Sequence, residues 1–128
     1  MTDQKFVIQI DRPIEDVFAF ISNPAHTPEW IRTIVKEEAS GNSTQTGSII
    51  RNWDEEGRMN EYKVTVYDKP KLLQLESTIQ DYKLRYTCTS ISYTQTELEY
   101  HEWSESGQLH SSSMQEVLGE LKAVMEWK

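Results

Sequence analysis

What this sequence lacks narrows its nature first. It has a single cysteine, Cys88, so no intrachain disulfide can staple the chain. The N-terminus MTDQKFVIQID has neither the positive flank nor the apolar core of a secretory signal. With one unpaired thiol this makes a reducing, cytoplasmic location the expectation. No apolar run approaches the ~18 residues of a spanning helix, so no membrane span is expected. Positive charge is scarce: 13 basic residues against 21 acidic ones give a net charge of −8. The only near-basic cluster, Lys69-Pro70-Lys71, reads as a turn, which argues against nucleic acid or an anionic bilayer as partner. The acidic runs Glu37-Glu38 and Asp54-Glu55-Glu56 read as solvated surface. Also absent are a Gly-rich phosphate loop, a nucleophile elbow, a metalloprotease signature and internal repeats. Nothing in the chain calls for a cofactor or a metal.

What is present is a regular alternation of patterns within 128 residues, a length suited to one domain. Phe6, Ile8 and Ile10 alternate with polar residues, so 5–11 reads as a strand with one buried face. Pro13, Glu15 and Asp16 then start a helix whose apolar face is Ile14, Val17, Phe18 and Ile21. Asn23 before Pro24 ends it. Thr27-Pro28 repeats the start signal, with Thr27 as N-cap and Trp30 and Ile31 as anchors of a second, short helix. From Ile34 the period is two, and strands are predicted near 34–40, 48–54, 58–68, 72–80, 82–91 and 96–103, joined by short turns that favour antiparallel hairpins. A terminal helix follows, with Ser113 and Glu116 as capping box and a stripe of Met114, Val117, Leu118, Leu121, Val124 and Met125. This predicts an α+β fold in which a curved antiparallel sheet of seven strands, with two short helices after its first strand, is covered by the C-terminal amphipathic helix.

Alternation also sorts the faces of the sheet. The predicted inward set is Ile49, Arg51 and Trp53; Tyr62, Val64 and Val66; Leu73, Leu75 and Ile79; Tyr82, Leu84, Tyr86 and Cys88; and Leu98, Tyr100 and Glu102. Aliphatic members are ordinary core. Buried tyrosines need partners for their hydroxyls, so Tyr62, Tyr86 and Tyr100 point to a partly polar cavity. Arg51 and Glu102 stand out because a buried charge is costly unless paired or functional. Trp103 falls on the outward face, which suggests a bulge near it. Glu97, Glu99 and His101 align on one strand face, but a zinc site draws on more His or Cys than this. His26 is the residue best suited to act as a base, yet nothing near it in sequence orients it, and it reads as a loop residue. His110 reads as linker, and Cys88 as a small hydrophobe.

The stretches IDRPIEDVFAFISNPAHTPEW (10–30) and TGSIIRNWDEEGRMNEYKVTVYDKPKLLQLES (46–77), with the closing amphipathic helix, resemble the START-like (SRPBCC) superfamily, and within it the small polyketide cyclase/dehydrase type proteins. The resemblance runs over nearly the whole chain and implies a helix-grip fold with a cavity between sheet and C-terminal helix. One departure is Arg12, where the family often has a small or hydroxylated residue before the helix proline. Another is the short terminal helix, ending at Lys128, which implies a cavity mouth that is either more open or partly closed by a second chain, so that a homodimer is one of the expectations.

The resemblance identifies a fold more than an activity. Together with the aromatic inward face it leads to the expectation that a small hydrophobic or aromatic molecule, lipid- or polyketide-like, is bound, with Trp30, Arg51, Trp53, Tyr62, Tyr86, Tyr100, Glu102, Met114 and Leu118 as the candidate contacts. Two rivals stay open: a cyclase or dehydratase with Arg51, Glu102 and a tyrosine as acid and base, and a protein-interaction module similar to the chaperone-ATPase activators.

Overall fold

The predicted elements occur in the predicted order in a computed structural model that describes residues 1–107, 109 and 114–127. Strand β1 (Thr2–Ile10) leads into helix α1 (Ile14–Ile21), a 3-10 turn (Pro24–His26) and helix α2 (Thr27–Trp30). Six strands follow: β2 (Lys36–Ala39), β3 (Ile49–Trp53), β4 (Met59–Asp68), β5 (Leu72–Ser77), β6 (Lys83–Ser92) and β7 (Gln95–Ser104). Helix α3 (Met114–Trp127) closes the described chain. The strands form one antiparallel sheet in the order β1-β7-β6-β5-β4-β3-β2, so the first strand closes against the last. No helix among the described residues is long and apolar enough to cross a membrane.

Burial explains the arrangement. β7 alternates half-buried and buried residues along its whole length, and Thr96, Leu98, Tyr100, Glu102 and Ser104 all face inward. The inward residues meet Val17, Phe18, Trp30, Leu118, Leu121 and Met125 from the helices in one core. α1 covers β6 and β7, while α3 packs chiefly along β1 and against α2.

The C-terminal end of α3 is held by the β1–α1 junction. Arg12 donates to the Met125 carbonyl at 2.7 Å and to Asp16 Oδ2 at 2.9 Å. The Asp11 amide donates to Glu126 Oε2 at 2.9 Å, and Lys122 Nζ to the Gln9 carbonyl at 2.8 Å. Fully buried Thr96 of β7 fixes the junction by donating its hydroxyl to the Arg12 carbonyl at 2.8 Å. α3 has no basic residue in its own last turn, so Arg12 supplies from another element the positive charge that a helix C-terminus favours. The family departure noted at this position therefore has a physical role.

Several readings need correction. On β3 the inward residues are Ile50 and Asn52, 4% and 6% exposed, so Ile49, Arg51 and Trp53 face outward. The apolar pair Ile49-Ile50 leaves the parity open. The cross-strand pair Arg51–Glu61 at 2.7 Å and Lys36 over the Trp53 ring at 5.2 Å favour the charged residues outside. A bulge between Val64 and Val66 changes the parity of β4: Val66 lies opposite Gln74, and Tyr67 turns in to meet Phe18 edge-on at 5.4 Å. Ile79 lies past the end of β5 and is exposed. Trp103 needs no bulge, because the register around it is regular and its ring packs against His101 and under the Arg85 guanidinium. Thr27 does not cap α2; Asn23 caps the preceding turn by accepting from the Ala25 amide. His26 does have a local partner, Glu29, and stacks on Phe20. Ser113 of the expected capping box, and His110, lie outside the described residues.

The clasp on α3 gives a first prediction. Arg12→Ala should lower the unfolding free energy by about 1–2 kcal/mol, since it removes a charge-assisted hydrogen bond to the helix end. Asp16→Ala, at an exposed ion pair, should cost less than about 0.5 kcal/mol. Urea denaturation of both variants checks this, and equal losses would contradict it.

Candidate functional site

The inner face of the sheet can be followed in tiers, because antiparallel partners share a face. One tier runs Tyr82, Ser77, Tyr62 and Ile50; the next Glu102, Leu84, Leu75 and Val64; the third Tyr100, Tyr86, Leu73 and Tyr67. The third tier is deepest, with Leu73, Tyr86 and Tyr100 nearly inaccessible. In the first, Tyr62 and Tyr82 point inward yet stay half-buried. α3 leans toward β1 and α2, so this part of the concave face has less cover among the described elements.

Polar groups converge here within an apolar frame. The Tyr82 and Tyr100 hydroxyls are 2.6 Å apart, and the Tyr82 hydroxyl reaches Glu102 Oε2 at 3.3 Å. The Tyr86 ring lies 5.3 Å from Tyr100 and meets Trp30 edge-on at 6.2 Å. Tyr62, Tyr82, Tyr86 and Tyr100 are all harder to ionise than a free phenol. Burial is the largest cause in each, joined by the carboxylates of Glu37 and Glu102 for Tyr62 and Tyr86, and by Glu102 for Tyr82 and Tyr100. Tyr62 is pushed up to about 12. At neutral pH these phenols are therefore hydrogen-bond donors, not bases.

A second polar centre lies beside Trp30. Glu37 of β2 turns inward, where its Oε1 accepts from the Thr27 hydroxyl at 2.6 Å and its Oε2 from the Asn52 amide at 3.1 Å. Burial raises the Glu37 pKa against these two hydrogen bonds, which lower it. Trp30 is 1% exposed, and its Nε1–H has no hydrogen-bond partner among the described residues. Thr27, Trp30, Glu37, Ile50, Leu75 and Tyr86 are among the walls of a cavity of about 30 Å³. That is room for one small group, and a larger ligand needs side chains to shift. A wider groove of about 380 Å³, lined by Ser22, Asn23, Asn42, Ser43, Thr44, Tyr67 and Lys69 among others, opens at the loop end of the sheet.

Of the residues expected to form the site, Trp30, Tyr62, Tyr86, Tyr100 and Glu102 are brought together on the inner face. Leu118 is fully buried and Met114 half-buried on α3, both against the same core. Arg51 and Trp53 are on the opposite face and belong to no such cluster. Sequence reasoning missed Glu37, read as solvated surface, and gave Tyr82 no site role. The position of Glu37 opposite Asn52 in the β2–β3 pair is a signal visible only once the register is known. Cys88 is buried and its thiol is pushed up to about 12 by desolvation, which makes it chemically quiet. Glu97, Glu99 and His101 lie on the outer face, where His101 is bound to Asp3 at 2.9 Å. Among the described residues no group of three His, Cys, Asp or Glu side chains is placed to hold a metal ion.

Residues 1–126 match the model of a family described as polyketide cyclase / dehydrase and lipid transport. Among solved structures of similar fold, the di-domain ARO/CYC BexL from the BE-7585A biosynthetic pathway superposes with a TM-score of 0.80 at 14% identity, over 98% of this chain and 47% of that one. This chain thus spans about half of that two-domain protein. An uncharacterised protein from Bacillus thuringiensis gives 0.75 at 12% identity over 98% and 99% of the two chains. The Aha1 dimer from Colwellia psychrerythraea gives 0.65 at 14% identity over 99% and 92%. At these identities the likeness is one of fold. No curated protein sequence matches.

The tyrosine cluster makes stability fall in strong base. Tyr62 goes from an ordinary 10.0 to about 12, so the fold favours its protonated form. Its contribution is complete below pH 10.0 and is lost as the pH rises toward about 12. Denaturation midpoints measured across that window should drop steadily, and Tyr62→Phe should make the drop shallower; an unchanged slope would contradict the burial of this phenol.

Proposed function

The chain belongs to the polyketide cyclase/dehydrase and lipid transport family, and on that premise we propose that it binds a small hydrophobic or aromatic molecule against the inner face of the sheet. The observation that carries this reading is the half-buried pair Tyr62 and Tyr82, inward-facing aromatic side chains that helix α3 leaves partly open. Apolar walls at Leu75 and Leu84 supply area for an apolar body. The protonated tyrosines supply donors that orient a ligand oxygen. Met114 and Leu118 of α3 pack against the same core.

One observation favours an enzymatic variant of the same reading. Tyr82, Tyr100 and Glu102 bring three ionisable groups together on that face. In a cyclase or dehydratase the phenols would polarise a ligand carbonyl while Glu102 took the proton. Glu102→Gln would then abolish turnover of an aromatic polyketide-like substrate while leaving its binding within a few-fold.

A homodimer and a cytoplasmic location are proposals of a different kind. The dimeric state of the Colwellia relative supports the first, as does the apolar surface at one end of this chain, where Trp127 and Tyr93 are 90% and 96% exposed. The single, buried cysteine supports the second.

The binding reading is checked by thermal denaturation and tryptophan fluorescence against a panel of aromatic and lipid compounds. A ligand at about a hundred times its Kd should stabilise the protein by about 2.7 kcal/mol, a rise of several degrees in Tm. Silence in both measurements across the panel would refute it.

A further inference from the structure

We propose that Trp30 and Glu37 form a hydroxyl-recognition subsite, so that the ligand is a neutral alcohol or phenol whose O–H occupies the cavity between them; this rests on the binding reading above. The cavity of about 30 Å³ is the size that one oxygen-centred group fills. One of its walls is Trp30, whose buried Nε1–H is a donor that lacks an acceptor among the described residues. Its walls also include a carboxylate whose two oxygens each accept one hydrogen bond, from Thr27 and from Asn52. Carboxylate oxygens have further lone pairs, so Glu37 keeps accepting capacity.

Complementarity decides the ligand class. A hydroxyl accepts from the indole and donates to the carboxylate with the same oxygen, so it satisfies both sides of the cavity. A ketone satisfies Trp30 but sets its lone pairs against Glu37. An ammonium group satisfies Glu37 but turns a donor toward the indole N–H. A carboxylate or phosphate places a second negative charge beside Glu37 in a desolvated pocket, which is the most costly of the four. The rest of the ligand has an aromatic path to follow. The Trp30 ring meets Tyr86 at 6.2 Å, Tyr86 lies 5.3 Å from Tyr100, and that tyrosine leads to the half-buried Tyr82. A ring-bearing alcohol or a phenol therefore suits the subsite better than an acyl chain ending in an acid.

The test uses three probes of one shape: naphthol, naphthalene and naphthoate. Calorimetric titration should rank them in that order, with naphthol about tenfold tighter than naphthalene, the worth of a satisfied buried donor. Naphthol should also move the Trp30 indole N–H resonance, which naphthalene should leave nearly unchanged. Trp30→Phe should bring naphthol and naphthalene to within about twofold of each other. Glu37→Gln, which keeps the volume but replaces one of the two accepting oxygens with an amide donor, should shrink the preference while relieving the penalty on naphthoate. The wild-type ranking and the indole resonance decide the matter even where a variant fails to fold. Naphthoate binding as tightly as naphthol overturns the proposal, and so does equal binding of all three, which leaves general ligand binding intact. An indole resonance that naphthol does not move also overturns it, because the hydroxyl then does not reach the Trp30 N–H. No binding by any of the three overturns the subsite together with the reading on which it rests.

Discussion

The clasp between the β1–α1 junction and the C-terminal end of α3 is the interaction on which the rest of the structure depends. A curved antiparallel sheet buries only one face, and that face needs cover from elements distant in sequence. Hydrogen bonds from Arg12 to Met125, Asp11 to Glu126 and Lys122 to Gln9 link positions more than a hundred residues apart. They seat the terminal helix beside the first strand, which is itself paired with the last. Because the helix is anchored at that edge, it leans on β1 and α2. The inner face at Tyr62 and Tyr82 keeps partial access as a result. The same anchor that completes the core thus leaves two aromatic side chains beside it half-buried.

Much of this architecture was legible in the sequence, because hydrophobic period and proline placement are local signals. Pro13, Pro24 and Pro28 punctuate the helices where expected, and every predicted strand exists within a few residues of its predicted bounds. What failed was parity, which is not local. Ile49 and Ile50 are equally apolar, so only the cross-strand pair Arg51–Glu61 tells which of them turns inward. The Thr65 bulge reverses β4 without a glycine or proline to announce it. The same blindness explains the site. Arg51 was expected inside and stands outside, while Glu37 was expected in solvent and lines the cavity. A one-residue shift of phase exchanges the two faces, and short strands such as β2 carry too few residues to fix it.

The polar interior has a consistent electrostatic logic. Glu37 and Glu102 face inward, and the tyrosines around them are pushed toward their neutral forms by burial and by those carboxylates. Each phenol that stays protonated is a donor available to an acceptor, as in the hydrogen bond from Tyr82 to Glu102, while Glu37 takes its donors from Thr27 and Asn52. An interior arranged in this way gains nothing from a further negative charge.

That logic separates this chain from a generic apolar container. A cavity meant only to hide a hydrocarbon tail would carry no carboxylate, because burying one raises its free energy unless hydrogen bonds compensate. Here two neutral side chains, Thr27 and Asn52, compensate Glu37, and Asn52 is itself a buried polar residue on a strand that could have carried an aliphatic one. Three polar side chains from α2, β2 and β3 therefore converge, and two of them, Thr27 and Glu37, share a cavity with Trp30, whose buried N–H has no acceptor among the described residues. Chance exposure of a surface acid does not produce that arrangement, since each member is buried or half-buried and each hydrogen bond joins a different pair of elements. Stability alone would be served better by apolar replacements of similar volume. The proposed hydroxyl subsite draws on this retained polarity: under that proposal a ligand group completes it, and specificity lies at the buried end of the inner face, beneath the more open Tyr62 and Tyr82.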